Sequence, residues 1–208
     1  MNDNLTVLIK NVILDLGGVL LNLSFPRTEA AFTAIGLPDF NSHFSQFKAS
    51  PLFEELETGK LDKESFLRHF RKETGLTRSD AEIVAAWNAM LLDFPAERVS
   101  WLEKLSDRYR IFLYSNTNAF HHDAFQVTFN NEFPGRPFDS YFEKAYYSHV
   151  FGRRKPYPQS YTDLLEDAGL LAEETVFIDD TLPNVEGARA AGLHGIHLTS
   201  EVTGLKGF

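Results

Sequence analysis

Three short apolar runs in this chain each end on a polar group, and that recurrence narrows the fold more than any other feature. Asn11-Val12-Ile13-Leu14 ends on Asp15, Ile111-Phe112-Leu113-Tyr114 on Ser115-Asn116, and Thr175-Val176-Phe177-Ile178 on Asp179-Asp180. Near-continuous apolar runs of this length read as strands buried on both faces, as in a parallel sheet covered by helices. Helices are expected between them. Val99, Trp101, Leu102 and Leu105 mark one; Tyr157 to Ala168 is another, stopped by Gly169; and Pro183 suits the first turn of a third, which ends at Gly192. Ala145-Tyr146-Tyr147 and Ile196-His197-Leu198 read as further strands. The alternation implies right-handed βαβ units and an α/β fold with a Rossmann-like parallel sheet.

The stretch between the first run and the rest has another character. From Arg27 to about Glu97 the signals are helical, with no convincing strand. Asp62 can cap a helix carrying Phe66, Leu67 and Phe70, and Ser79-Asp80-Ala81-Glu82 is a capping box before Ile83, Val84, Trp87 and Leu91. Ala30 to Ile35 and Leu52 to Leu56 suggest two more helices, so residues 24–97 read as an inserted helical bundle and residues 1–23 and 98–208 as the α/β core. Phe133 to Pro137 reads as a loop, and the tail after Thr203 as loose.

Several function classes drop out on composition. With 29 acidic against 20 basic residues and a net charge of -9, a basic nucleic-acid-binding face is not expected. The absence of cysteine removes disulfides, thiolate metal sites and a Cys nucleophile. No secretory leader is visible in Met1 to Lys10, and no apolar run approaches the ~18 residues of a membrane span. A soluble, cytoplasmic protein is the expectation; the oligomeric state is left open. Gly-x-Gly-x-x-Gly and P-loop motifs are absent.

The polar ends of parallel strands share one sheet edge, where open α/β folds bind ligands. Asp15 is followed there by Gly17-Gly18, which lets the backbone turn sharply and approach a ligand. Gly152-Arg153-Arg154-Lys155-Pro156 adds a cationic loop. Converging Asp15, Asp179 and Asp180 would repel one another without a hard cation, and Mg²⁺ fits a site of carboxylates plus water and phosphate oxygens. Ser115 and Lys155 supply a hydroxyl and an ammonium suited to phosphate. This combination points to phosphoryl transfer through an aspartyl-phosphate.

These residues resemble the motifs of the haloacid dehalogenase (HAD) superfamily. Leu14 to Val19 resembles its first motif, Tyr114-Ser115-Asn116 the second, Gly152 to Pro156 the third, and Ile178-Asp179-Asp180 with Asn184 and Gly192 the fourth. The helical insertion falls where that family places its cap. The resemblance implies a Mg²⁺-dependent phosphoric monoester hydrolase acting on a small phosphorylated metabolite such as a sugar phosphate. It implies Asp15 as nucleophile, and Mg²⁺ held by Asp15, Asp180 and the Gly17 carbonyl, with Asp179 accessory. Ser115 and Lys155 would hold phosphate with backbone N–H groups near Leu16 and Gly17; Asn116 would help hold substrate, and Asn184 would brace the metal loop. The loop Glu57-Thr58-Gly59-Lys60 would reach over the site, with Lys60 as its candidate contact; its alternative is a plain helix-ending turn.

One departure stands out. Phosphatases of this family usually carry a second Asp two positions after the nucleophile as general acid and base, and here that position is Gly17. Proton transfer by a positioned side chain is typically worth ~10²–10⁴-fold in rate. An easily departing leaving group, another proton carrier, a dehalogenase-type reaction or a weakly active phospho-ligand binder would each accommodate the loss. Retention of Asp179-Asp180 favours phosphate chemistry over dehalogenation, which does not use Mg²⁺ in this family. A receiver-type phosphoaspartate domain would pair its acids at the first strand and lack the insertion. His121-His122 is read as the solvated start of a helix, His194 and His197 as loop or edge residues, and His149 as a neighbour of the cationic loop.

Overall fold

The computed structural model describes residues 8–42, 44–45 and 48–207. Along the chain run β1 (Asn11–Leu14), α1 (Phe25–Ala34), the two-residue strands β2 (Phe44–Ser45) and β3 (Lys48–Ala49), α2 (Pro51–Glu57), α3 (Lys63–Thr74), α4 (Asp80–Asn88) and α5 (Ala96–Ser106). They continue with β4 (Arg110–Ser115), α6 (Ala119–Glu132), β5 (Lys144–Tyr147), α7 (Ser148–Phe151), α8 (Pro158–Ala168), β6 (Thr175–Asp179), α9 (Leu182–Ala190) and β7 (His194–His197). The five longer strands form a parallel sheet in the order β5-β4-β1-β6-β7. β1 lies at its centre, with Leu14 beside Leu113 and Ile178, so Asp15, Ser115 and Asp179 leave the sheet at one edge.

Alternation along each strand splits the core into two layers. Val12, Leu14, Ile111, Leu113, Val176 and Ile178 face Leu102 and Leu105 of α5 and Phe125 and Phe129 of α6. Ile13, Phe112, Tyr114 and Phe177 face Tyr161 and Leu164 of α8 and Ala188 of α9. Residues i and i+2 of a strand share a face, so both sides being apolar dictates helices on both.

The segment from α1 to α4 builds its own apolar cluster. Phe32, Phe40, Phe53, Phe66, Phe70 and Trp87 are buried together, with Phe32 and Phe40 stacked at 4.1 Å. Asp62 caps α3 by accepting from Ser65 N at 2.7 Å, and the Ser79–Glu82 capping box opens α4. Two connections join this cluster to the sheet layer, and they pair with each other. Leu23 bridges Leu91, Leu92 N donates to Asn22 O at 3.0 Å, and Ser24 N donates to Met90 O at 2.8 Å.

Four local expectations need correction. α1 begins at Phe25 rather than Ala30, because Pro26 pre-sets the first turn. α4 ends at Asn88, so Leu91 belongs to the extended connection instead of the helix. Short strand pairing does occur in the insertion, at β2 and β3. The tail is anchored: Val202 is buried, Leu205 packs on the core, and Tyr109 OH donates to Gly207 O at 3.2 Å.

Candidate active site

At the C-terminal edge of the sheet lies a cavity of about 570 Å³, lined by Asp15, Gly17, Gly18, Ser115, Asn116, Lys155, Asp180 and Asn184 among others. Asp15 follows β1 and is fixed by its own N–H donating to Ile178 O at 2.9 Å. Lys155, buried at 1% exposure, places Nζ 2.7 Å from Asp15 Oδ1 and 2.6 Å from Asp179 Oδ2. The rings of Tyr114 and Phe177 flank that ammonium at 5.5 and 5.3 Å.

Asp179 is wholly buried and its oxygens are engaged. It accepts from Lys155, from Thr181 N at 2.8 Å and from Asn184 Nδ2 at 3.1 and 3.0 Å. Tyr161 OH donates to Asn184 O at 2.7 Å and holds that loop in place. Asp180 is less buried and accepts from Thr181 Oγ1 at 3.2 Å, while His197 Nε2 lies 3.0 Å from its carbonyl oxygen.

Asp15, Asp179 and Asp180 each offer an oxygen within 4.8 Å of the others. Burial pushes the Asp15 carboxyl up to about 7; Lys155 pulls it down, and Asp179 and Asp180 push it further up. Burial opposes the charge on Lys155, yet Asp15 and Asp179 outweigh that and hold its pKa above the ordinary value. Asp180 is raised by burial and then by Asp179. Three carboxylates answered by one ammonium leave an excess of negative charge, so these residues fit a hard divalent cation.

Several expected contacts fall elsewhere. Leu16 is expected at the site only through its backbone N–H; its side chain is buried in the core outside the cavity lining, and its carbonyl accepts from Leu20 and Leu21 N–H. Asn116 lines the cavity, but its amide is largely committed to the cationic loop. Nδ2 donates to Lys155 O at 3.0 Å, and Oδ1 accepts from Lys155 N at 2.9 Å. Lys60 is exposed and absent from the lining. Glu57, three residues earlier, is the member of that loop that reaches the cavity, where it meets Arg154 at 2.9 Å. Burial raises the Glu57 carboxyl and Arg154 lowers it. His121 is not solvated: it is buried, stacked 4.5 Å from Trp87, and burial lowers its pKa to about 4.

The sequence reading takes Gly18 only as part of the Gly17-Gly18 turn and Arg154 only as part of the cationic loop; both line the cavity. Gly18 has φ +74°, and a Cβ there would run into the Asp180 carboxylate. The signal for it was in the sequence: the second glycine of a pair closing a buried strand marks close backbone approach.

Comparison with known proteins follows the same outline. A family model described as haloacid dehalogenase-like hydrolase matches residues 9–192. A D-ribitol-5-phosphate phosphatase of Bacteroides thetaiotaomicron is 28% identical over 186 residues, covering 89% of each chain. A sesquiterpene phosphatase of Aspergillus oryzae is 28% identical over 193 residues, covering 93% of this chain and 91% of its own. Among solved structures, a wild-type HAD family enzyme from Bacteroides thetaiotaomicron, in complex with magnesium and inorganic phosphate, is 36% identical. It aligns with a TM-score of 0.82 over 91% of this chain and 93% of its own.

Proposed function

Because this chain belongs to the haloacid dehalogenase-like hydrolases, we propose that it is a Mg²⁺-dependent phosphatase of a small phosphorylated metabolite, a sugar phosphate or similar. The observation that carries this reading is the buried Asp15–Lys155–Asp179 pairing with Asp180 beside it. Residues 1–23 and 98–208 are the catalytic body in this reading, and residues 24–97 the cap.

Asp15, Asp180 and the Gly17 carbonyl would hold Mg²⁺, with Asp179 supporting from behind Lys155. The cation would offset the charge of phosphate and carboxylates and favour ionised Asp15. A carboxylate oxygen of Asp15 attacks phosphorus, and the bond from phosphorus to the ester oxygen breaks. Lys155 and Ser115 hold the phosphate oxygens while negative charge shifts to the leaving oxygen. Water then attacks the phosphorus of the aspartyl-phosphate; the Asp15 carboxylate departs and inorganic phosphate is released.

Position 17 has no side chain to move a proton to the leaving oxygen. That supports a second reading, a weakly active binder of phosphorylated ligands. The two separate in one experiment: phosphate release from p-nitrophenyl phosphate and a metabolite panel, with and without Mg²⁺. The phosphatase reading expects Mg²⁺-dependent release that Asp15→Asn abolishes. Ligand-induced stabilisation without release supports the binder, and release that survives Asp15→Asn sinks the proposed mechanism.

A further inference from the structure

Strand β7 carries two histidines, and each ring reaches a backbone carbonyl beside the neighbouring strand. His194 Nε2 lies 2.8 Å from Glu173 O, before β6, and His197 Nε2 lies 3.0 Å from Asp180 O, just after it. A carbonyl oxygen only accepts, so in each contact Nε2 carries the proton and donates. The chemistry proposed above uses neither ring.

The two contacts differ in what they hold. β6 and β7 are paired up to Asp179 and His197, and Leu198 N donates to Asp179 O at 2.9 Å. Asp180 lies past the end of that ladder. The peptide unit joining Asp180 to Thr181 is gripped instead by side chains at both of its polar atoms. Thr181 N donates to Asp179 Oδ1 at 2.8 Å, and Asp180 O accepts from His197. The Asp180 carboxylate meanwhile packs against the bare backbone of Gly18 and accepts from Thr181 Oγ1 at 3.2 Å.

This grip matters because of the charges nearby. Asp15 and Asp179 repel the Asp180 carboxylate, which favours swinging it out of the cluster before a cation arrives. A peptide plane fixed at both ends resists that pivot. Mg²⁺ demands near-octahedral ligands at about 2.0–2.1 Å, so its affinity depends steeply on where such a carboxylate stands. Hydrogen bonds that orient metal ligands from behind typically carry ~10–100-fold in affinity.

Resting on the Mg²⁺ site proposed above, we infer that His197 is a positioning residue for the metal: its Nε2–H pins the Asp180–Thr181 peptide and so presets Asp180 for Mg²⁺. His194 makes the same kind of contact at the other end of β7 and only ties the strand to its neighbouring loop.

Isothermal titration of the metal-free protein with Mg²⁺ at pH 8 tests this without turnover. His197→Phe keeps a ring and removes the donor, and should raise the Mg²⁺ Kd about 10-fold. His197→Gln returns an N–H at nearly the same reach and should recover most of the affinity. His194→Ala should leave the Kd where it is in the wild type. Long-range ¹⁵N–¹H spectra of the wild-type imidazoles should show the neutral His197 ring protonated at Nε2, an arm that stands even if His197→Phe does not fold. An Nδ1–H tautomer at His197 overturns the inference. So does an unchanged Kd in His197→Phe, an equal rise in His194→Ala, or a His197→Gln protein that binds as weakly as His197→Phe. Any of these in a wild type that binds Mg²⁺ removes the role of His197 alone. A wild type that binds no Mg²⁺ overturns the proposed metal site and this inference with it.

Discussion

Lys155 touches Asp15 and Asp179 at once, while Asp180 stands in the same cluster with no ammonium of its own among the described residues. On the proposed mechanism, removing the charge of Asp15 removes the attacking group and relieves repulsion in a single change. Asp15→Asn should lower phosphate release by at least ~10³-fold, measured as kcat on p-nitrophenyl phosphate with saturating Mg²⁺. Gly17→Asp probes the missing proton carrier. A Cβ at Gly17 comes 2.5 Å from Leu23 Cδ1, the tip of a flexible side chain, so Leu23 has to turn aside. Turnover of alkyl phosphates should rise, toward the ~10²-fold expected of a positioned acid, with little change for p-nitrophenyl phosphate, whose leaving group needs no proton. Equal rates on alkyl esters before and after the change would remove Gly17 as the cause of slow turnover. The gathering of Asp15, Ser115, Lys155 and Asp180 is legible in the sequence because each closes a strand or sits in a Gly/Pro-bounded loop. Glu57 was not, because which residue of a helix-ending loop faces the cavity depends on how α2 is rotated, and spacing does not fix that.

Elements carry the next layer of constraint, through how closely they approach. Gly59 and Gly75 share nearly the same backbone conformation, φ +70° and +71°, but differ in surroundings. Gly59 faces the His149 carbonyl, and Gly75, which ends α3, has nothing within 4 Å of where its Cβ would stand. Gly75→Ala should cost only the left-handed backbone penalty, about 1 kcal/mol in urea unfolding. Gly59→Ala should cost about 1–3 kcal/mol and also raise KM several-fold, because α2 must back away from the body that holds Lys155. Identical costs and an unchanged KM would mean the α2–His149 contact does not position α2 over the site. The same scale shows where pattern reading succeeds. Strands of the sheet and the capped starts of α3 and α4 are legible because local chemistry decides them: continuous apolar runs, Asp62, and the Ser79–Glu82 box. His121 is different. Its burial against Trp87 comes from the start of α6 docking on the α1–α4 cluster, a contact between segments 34 residues apart that no local pattern records.

At the scale of the whole molecule, the uncompensated charge at the sheet edge makes stability depend on pH and metal together. The folded state raises the Asp15 carboxyl to about 7 from its ordinary 3.8, and raises Asp180 as well. A carboxyl with a raised folded-state pKa binds its proton more tightly when folded. Its contribution to stability is full below the unfolded value and is lost as pH rises through the folded one. Metal-free protein should therefore lose stability between about pH 4 and pH 7 through these groups. Mg²⁺ binds the ionised carboxylates, so its stabilisation should grow over the same interval. At tenfold excess over Kd, binding raises Tm by about 3–6 °C for a chain of this size. Asp15→Asn removes one buried charge, so in EDTA at pH 8 that variant should melt above the wild type, with a flatter pH profile and a smaller response to Mg²⁺. Melting curves at pH 5, 6, 7 and 8, in EDTA and in millimolar Mg²⁺, check all three. A metal-free Tm for the wild type that climbs from pH 5 to 8, with Asp15→Asn no more stable at pH 8, would show that Lys155 already neutralises the site and that its excess negative charge is not what draws the metal.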